Sequence, residues 1–381
     1  MCPVLSPRDV EWLTSPEGVA ALATPLPDDL LARAEAIRRL VPDPHFAALL
    51  SSQAELSGPL RIHTRDGLEQ GTHPQIATWR AQYLAQRGVT RIADLTAGLG
   101  FDAAAFVAAG MDVLAVERDP GTAAALAVNV PSALVQCANA EEVELRDVDA
   151  LFIDPARREP DAPHDGRRAT PERDPEKWSP PLSWALQHPN ACIKVAPGID
   201  RARIPDGWQA IWTSRDRRLA EAMLVGPTLN TERLARSAHL LGVGMVSSSE
   251  RSSEPLTVAP VGSILIEPDD AVIRSGLVTD LGRTLDAWLL DEHVAWLSAD
   301  DAPSTPFARR YRVLERLPNK PKALRAALIN RGYGNVVVKT RAVHITPEQL
   351  RTQLRLPGGA SATLIVTRAA GAQVTYLVEA E

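Results

Sequence analysis

Cysteine is scarce. Cys2, Cys137 and Cys192 are the only three in 381 residues, and no two form a C-x-x-C pair, which argues against both a disulfide framework and a zinc site. The eight histidines are scattered, with none at helical ligand spacing from another, so no metal is expected. No apolar stretch approaches the roughly eighteen uninterrupted residues of a membrane-spanning helix. The amino terminus lacks a basic stretch followed by an apolar one, so no signal peptide is indicated and a cytoplasmic location is expected. Internal repeats and low-complexity tracts are missing as well.

Hydrophobic residues make up 45% and charged residues 23%, the composition of an ordinary soluble protein with a sizeable core. The net charge of −6 is unevenly spread: residues 301–381 carry thirteen Lys and Arg against five Asp and Glu, a balance of +8 that leaves −14 on residues 1–300. A basic module joined to an acidic body has the electrostatic footprint of a nucleic-acid binder. A solvated basic surface without a partner is the alternative.

The most informative stretch is Ile92 to Asp102, I-A-D-L-T-A-G-L-G-F-D. An apolar run ends in Asp94, and a turn bearing Gly98 and Gly100 opens an alanine-rich helix expected from Phe101 to Ala109. Such a strand-turn-helix belongs at the carboxyl edge of a parallel sheet, where open α/β folds bind nucleotides. Gly98-x-Gly100-x-x-Ala103 also fits a dinucleotide loop, and Asp94 decides between the two. A carboxylate repels a pyrophosphate and attracts the ammonium of S-adenosylmethionine. Glu117, at the end of the next expected strand (Val113 to Val116), is placed to accept from ribose hydroxyls, and Asn139, after the third, to accept from an adenine amino group.

The second motif is Asp154-Pro155-Ala156-Arg157-Arg158, after the apolar Leu151-Phe152-Ile153. It falls where a fourth strand ends beside the cofactor. There Asp154 and the carbonyl of Pro155 could hold an exocyclic amine by its N–H groups, a positioning role; an Asp-Pro turn is the bland alternative. A proline-rich loop carries Arg157, Arg158, Arg167, Arg168 and Arg173, whose guanidinium groups suit phosphates or bases. Trp178 is either a stacking surface for a base or an anchor for that loop.

Along the chain, helices are expected at Leu30 to Leu40, His45 to Leu56 and Gln75 to Gln86, the last with Thr72 as N-cap and Pro74 in its first turn. Further strands are expected at Ala133 to Gln136, Ala150 to Ile153 and Ala191 to Val195, with a closing pair at Trp208 to Thr213 and Ala222 to Val225. From Phe307 the pattern predicts a small α+β domain: strand, helix (Lys322 to Asn330), strand, helix (Pro347 to Leu354) and two strands. The expected divisions are a helical segment (1–65), a catalytic domain (66–235), a connector (236–300) and a carboxy-terminal domain (301–381).

The glycine loop, Glu117 and the Asp154 run resemble class I S-adenosylmethionine-dependent methyltransferases. The runs 69–74, 178–182, 194–198, 267–274 and 331–335 are similar to a bacterial group of these enzymes with a carboxy-terminal THUMP-like domain. The resemblance implies a Rossmann-like α/β domain with a seven-stranded mixed sheet, and a cofactor site of Thr72, Asp94, Thr96, Ala97, Gly98, Gly100, Asp102, Glu117, Arg118, Asn139, Ala140 and Asp154. Asp154 and Pro155 are then catalytic, while Arg157, Arg158 and Trp178 contact substrate.

THUMP domains of related enzymes bind RNA, chiefly tRNA, so the implied partner is tRNA or rRNA, with neither DNA nor a membrane expected. Ala156 and Arg157 stand where base amino-methyltransferases usually carry proline and an aromatic residue. Pyrimidine C5-methyltransferases need a cysteine after the fifth strand, and Lys194 to Pro197 supplies none, which favours a base nitrogen. Thr72-x-Pro74 is also similar to the trimethylguanosine synthase family. A methyltransferase of proteins or small molecules, and a non-catalytic RNA binder retaining the cofactor fold, are the alternatives.

Overall fold

The computed structural model describes residues 5–56, 58, 60–157, 172–251 and 254–381. By compactness the chain falls into two units, one of residues 1–196 with 223–233 and one of 197–222 with 234–381.

The first unit opens with six helices: α1 (Pro7–Thr14), α2 (Pro16–Ala23), α3 (Leu30–Leu40), α4 (Pro44–Glu55), α5 (Arg65–Gln70) and α6 (Pro74–Ala85). Their starts are locally encoded. Ser6 and Asp9 form a capping box on α1, Asp29 and Asp43 accept from the first free N–H groups of α3 and α4, and proline occupies the first turn of α1, α2, α4 and α6, where its missing N–H costs nothing. The cap of α6 is His73, whose Nδ1 accepts from Gln75 N–H at 3.3 Å. Thr72, expected there, spends its hydroxyl on Asp102 instead.

The α/β part follows as β1 (Arg91–Asp94), α7 (Phe101–Ala108), β2 (Asp112–Glu117), α8 (Pro120–Asn129), β3 (Leu134–Cys137), β4 (Ala150–Ile153), α9 (Leu182–Ala185) and β5 (Ala191–Val195). The five strands are parallel in the order β3-β2-β1-β4-β5. All four residues of β4 are buried, as a strand covered on both faces requires. The order reverses between β1 and β4, which leaves a crevice outside their carboxyl ends. Asp94 pairs in register with Phe152, so Asp94 and Asp154 end the two strands that flank this crevice.

The amino-terminal helices bury Leu5, Trp12, Leu13, Leu49 and Leu50 in one cluster with Leu99 and Ala125. Asn129, the last residue of α8, ties them to the glycine loop. Its Nδ2 donates to the carbonyls of Ile62 and Leu99, both at 3.0 Å, while its Oδ1 accepts from the N–H groups of Arg61 and Ile62 at 3.1 and 2.8 Å.

The second unit contains β6 (Gln209–Arg215), the start of β7 (Arg218–Val225), β8 (Arg236–Leu240) and β9 (Gly244–Ser248). β6 and β7 are joined by a turn at Asp216 and Arg217, with φ of 50° and 60°. β8 lies parallel to β6 and antiparallel to β9. Next come β10 (Ile264–Pro268), α10 (Asp270–Ser275), α11 (Val278–Thr284), β11 (Trp288–Asp291) and β12 (Val294–Ala299). The chain ends with β13 (Ala308–Leu317), α12 (Pro321–Asn330), β14 (Tyr333–Thr340), α13 (Pro347–Leu354), β15 (Ala360–Ala369) and β16 (Ala372–Ala380). A seven-stranded sheet runs β11-β12-β10-β13-β16-β15-β14, so residues 264–299 share a sheet with the carboxy-terminal strands. Its two clusters are distinct: Leu324, Leu328, Leu350 and Leu354 of α12 and α13 cover Val336, Leu364 and Leu377, whereas Leu265, Trp296, Tyr311 and Tyr376 pack in the other.

Replacing Asn129 by Ala removes four hydrogen bonds at once and leaves backbone groups of the glycine loop and residues 61–62 without partners. A loss of about 1 to 3 kcal/mol is expected, read as a lowered urea midpoint; an unchanged midpoint would show that Asn129 does not fasten the amino-terminal helices.

Candidate functional site

Around the crevice the glycine loop is held from both sides. Leu95 N–H donates to the carbonyl of Phe152 and Ala97 N–H to that of Val116, both at 2.9 Å. Thr96 bridges the two strand ends, its Oγ1 accepting from Asp154 N–H at 2.6 Å. The two glycines serve different ends. Gly98 has φ of 53°, and a Cβ there would meet nothing within 4 Å, so its face is open; Gly100 has φ of 97°, and a Cβ there would strike Leu126 and Val130 of α8 at 2.7 and 2.6 Å. Gly98 therefore leaves an open face on the loop, while Gly100 allows close packing of the loop on α8.

Asp94 is 1% exposed. Its Oδ1 accepts from Thr96 N–H at 3.3 Å, and its Oδ2 is buried with no hydrogen-bond partner among the described residues. Burial pushes its pKa well above the usual carboxylate range, and the neighbouring charge of Asp102 adds to the rise. An ionised carboxylate in this position calls for a cation. Glu117 is also raised by burial; its oxygens accept from Gly98 N–H at 3.0 Å and Asp119 N–H at 2.8 Å, which fixes the carboxylate beside the loop. The residues thus fit S-adenosylmethionine, with an orphaned carboxylate oxygen for an ammonium, a second carboxylate for vicinal hydroxyls and an open glycine face between them.

Beneath the loop lies a connected set of charges that the sequence did not announce. Arg80 of α6 is fully buried and paired with Oδ1 of Asp102, its guanidinium 4.6 Å from the centroid of the Phe152 ring. Thr72 Oγ1 donates to Oδ2 of Asp102 at 2.6 Å. Lys194 Nζ, at the end of β5, donates to Thr72 Oγ1 at 3.1 Å and to Oδ2 of Asp154 at 2.7 Å. Both oxygens of Asp102 and the hydroxyl of Thr72 are therefore engaged by protein groups. Arg80 and Lys194 are the residues that sequence reasoning missed; a lone arginine on an otherwise apolar helix face was the available signal for the first.

Of the remaining candidates, Asn139 is half-buried and its carbonyl accepts from Glu142 N–H at 3.0 Å, with Ala140 buried beside it. Arg118 is exposed and donates to Ser179 Oγ at 3.0 Å. Pro155 is buried, and Ala156 pairs with Ser179 as an antiparallel bridge. Arg157 is half-buried, its carbonyl accepting from Glu172 N–H at 2.8 Å. Trp178 takes the anchoring role: it is 3% exposed and its Nε1 donates to the carbonyl of Glu172 at 3.1 Å, leaving no ring face for a base. Arg158, Arg167 and Arg168 lie outside the described residues. Among the described residues no helix is long and apolar enough to cross a membrane.

A parallel sheet with the order β3-β2-β1-β4-β5 and carboxylates at the ends of β1, β2 and β4 defines a nucleotide-type α/β site at a topological switch point. Comparison with known proteins narrows this. Residues 308–380 match the THUMP domain-like family. The chain is 29% identical over 324 residues to an uncharacterised S-adenosylmethionine-dependent methyltransferase of Mycobacterium tuberculosis, in strains CDC 1551 and H37Rv, covering 83% of this chain and 87% of the relative. It shares its fold with a crystal structure from Porphyromonas gingivalis W83 described as that of a candidate methyltransferase, at a TM-score of 0.65 and 18% identity over 97% of this chain and 96% of the other.

The two glycines should separate experimentally. Gly98→Val is expected to lose S-adenosylmethionine binding by calorimetry and to cost only the strain of a side chain at a positive φ, whereas Gly100→Val, which adds a clash with α8, should lower the melting temperature by several degrees more. Retained affinity in the first, or an unchanged melt in the second, would refute the division of roles.

Proposed function

We propose that this protein is an S-adenosylmethionine-dependent methyltransferase that modifies tRNA or rRNA at a base nitrogen. The observation that carries the cofactor reading is the buried Oδ2 of Asp94, without a hydrogen-bond partner among the described residues, on a loop whose Gly98 has an open face. When bound, S-adenosylmethionine supplies a methyl group made electrophilic by its sulfonium. Asp94 neutralises the ammonium of the cofactor, Glu117 accepts from its ribose, and Gly98 leaves room for the chain to approach it.

Asp154 receives the acceptor. Lys194 holds one carboxylate oxygen at 2.7 Å, which orients the group to accept an N–H from an exocyclic amine. Alignment of the nitrogen lone pair is then the protein's main contribution, and no covalent intermediate is required. Carbon methylation through a cysteine is disfavoured because Cys192 is fully buried inside β5. The RNA reading is supported by the match of residues 308–380 to the THUMP domain-like family and by the +8 balance of residues 301–381. Asp102 and Thr72 serve as the foundation of the site, and Lys194 as a positioning residue.

Asp154→Ala is expected to bind cofactor normally and to lose transfer by at least a hundredfold; an active variant would reduce the motif to a turn. Lys194→Met should lower turnover with little change in cofactor affinity, and Lys194→Arg, which keeps a cation beside Asp154, should recover part of the loss. Parent-like turnover in Lys194→Met would contradict a role through Asp154. Substrate class is tested by mass spectrometry of nucleosides from total RNA of a deletion strain beside its parent. Loss of one N-methylated nucleoside is expected, and identical profiles would overturn the RNA reading.

A further inference from the structure

Part of the second unit forms a basic cleft that plays no part in the site above. The stretch following Lys194 and the run 267–274, both singled out in the sequence, converge there. The cleft has a volume of about 530 Å³, within the roughly 300–1,000 Å³ of pockets that hold a small molecule or a nucleotide-sized group. Arg201, Arg274, Arg341 and His293 line it together with Asp200 and Asp270.

The cations are only partly neutralised. Arg274, in the last turn of α10, is exposed and has no ion-pair partner among the described residues. Arg201 is exposed and donates to the carbonyl of Ser275 at 3.5 Å. Arg341 donates to the carbonyl of Ala295 at 3.3 Å and lies 3.9 Å from Glu267, a carboxylate that Lys339 already holds at 2.7 Å. His293 lies 3.2 Å from Glu292. The field reaches further: the Arg236 guanidinium is held below its usual pKa by burial and also by the charge of Arg201, against the pull of Asp280. On the acidic side, Asp200 caps a short turn by accepting from Ala202 N–H at 3.0 Å. Three guanidinium groups thus face two carboxylates, an arrangement suited to a ligand carrying both an anion and hydroxyl or amino donors.

We propose that this cleft binds one nucleotide unit of the RNA, its phosphate on Arg201, Arg274 and Arg341 and its ribose or base donors on Asp200 and Asp270. This rests on the RNA reading above and extends it. Of the cleft's residues only Arg341 lies within the segment 308–380 that matches the THUMP domain-like family, so the RNA footprint runs beyond that domain to residues 197–201 and 270–274. Guanidinium groups grip a phosphate bidentately, and each phosphate contact releases counterions from the nucleic acid.

The test is fluorescence anisotropy of labelled total tRNA against the full chain over a salt series. The double variant Arg201→Ala with Arg274→Ala is expected to bind at least tenfold more weakly at low salt, with a salt slope shallower by about one to two. S-Adenosylmethionine affinity should be unchanged. Arg38→Ala with Arg39→Ala, on exposed positions of α3, removes the same charge and should leave RNA affinity unchanged. If the cleft variant melts earlier than the parent, Arg274→Ala alone carries the comparison. Equal binding by parent and cleft variant, or an equal loss in the α3 control, overturns the cleft while leaving the RNA reading standing. A parent chain that binds no RNA at any salt overturns the RNA reading and the cleft with it.

Discussion

The buried ion pair between Arg80 and Asp102 is the constraint on which the site depends. Two charges without water are tolerable only when they are paired and hydrogen-bonded, and the contacts of this pair and its neighbours draw five segments together. Arg80 brings α6, Asp102 the start of α7, Thr72 the segment before α6, Lys194 the end of β5, and Asp154 the end of β4. Removing one partner of such a pair costs about 3 to 5 kcal/mol because the other is left buried and unpaired. Asp154 is thus positioned, through a lysine and a threonine, by a buried pair.

Asp94 stands at the opposite extreme, a buried carboxylate that forms no ion pair among the described residues, although the charge of Arg80 partly offsets its burial. Its raised pKa means that it is destabilising when ionised. The stability it confers is full below the ordinary carboxylate range and is lost as pH rises through its elevated folded value. At neutral pH the ligand-free site therefore carries a cost that a bound cation relieves. Such a cost suits a site for a cationic cofactor: a dinucleotide would bring its pyrophosphate to a carboxylate that burial already destabilises.

Much of this was legible in the sequence because it is written locally. The glycine turn, the alternation of strand and helix, and the helices α3 and α4 depend on neighbours a few positions apart, and the six elements of residues 308–380 follow from periodicity alone. What escaped depends on distance. Arg80 sits 22 residues from Asp102, and Lys194 lies 40 from Asp154 and 122 from Thr72; no pattern of neighbours records those partners. Thr72 was read as a helix cap because its position suits one, and it serves Asp102 instead. Gly98 and Gly100 look equivalent in sequence, and only the packing of α8 tells them apart. The apolar run Ile264-Leu265-Ile266 marks β10, whereas β8, β9, β11 and β12 are broken up by short, polar connections and leave no comparable signal.

The claim at the centre is that the buried carboxylate of Asp94 holds the cationic end of the cofactor. Calorimetric titration of S-adenosylmethionine into the full chain and into its Asp94→Asn variant, which keeps the shape of the side chain and removes its charge, tests it most directly. The variant should lose most of the affinity while keeping the parent's melting temperature. Undiminished affinity in that variant would contradict it.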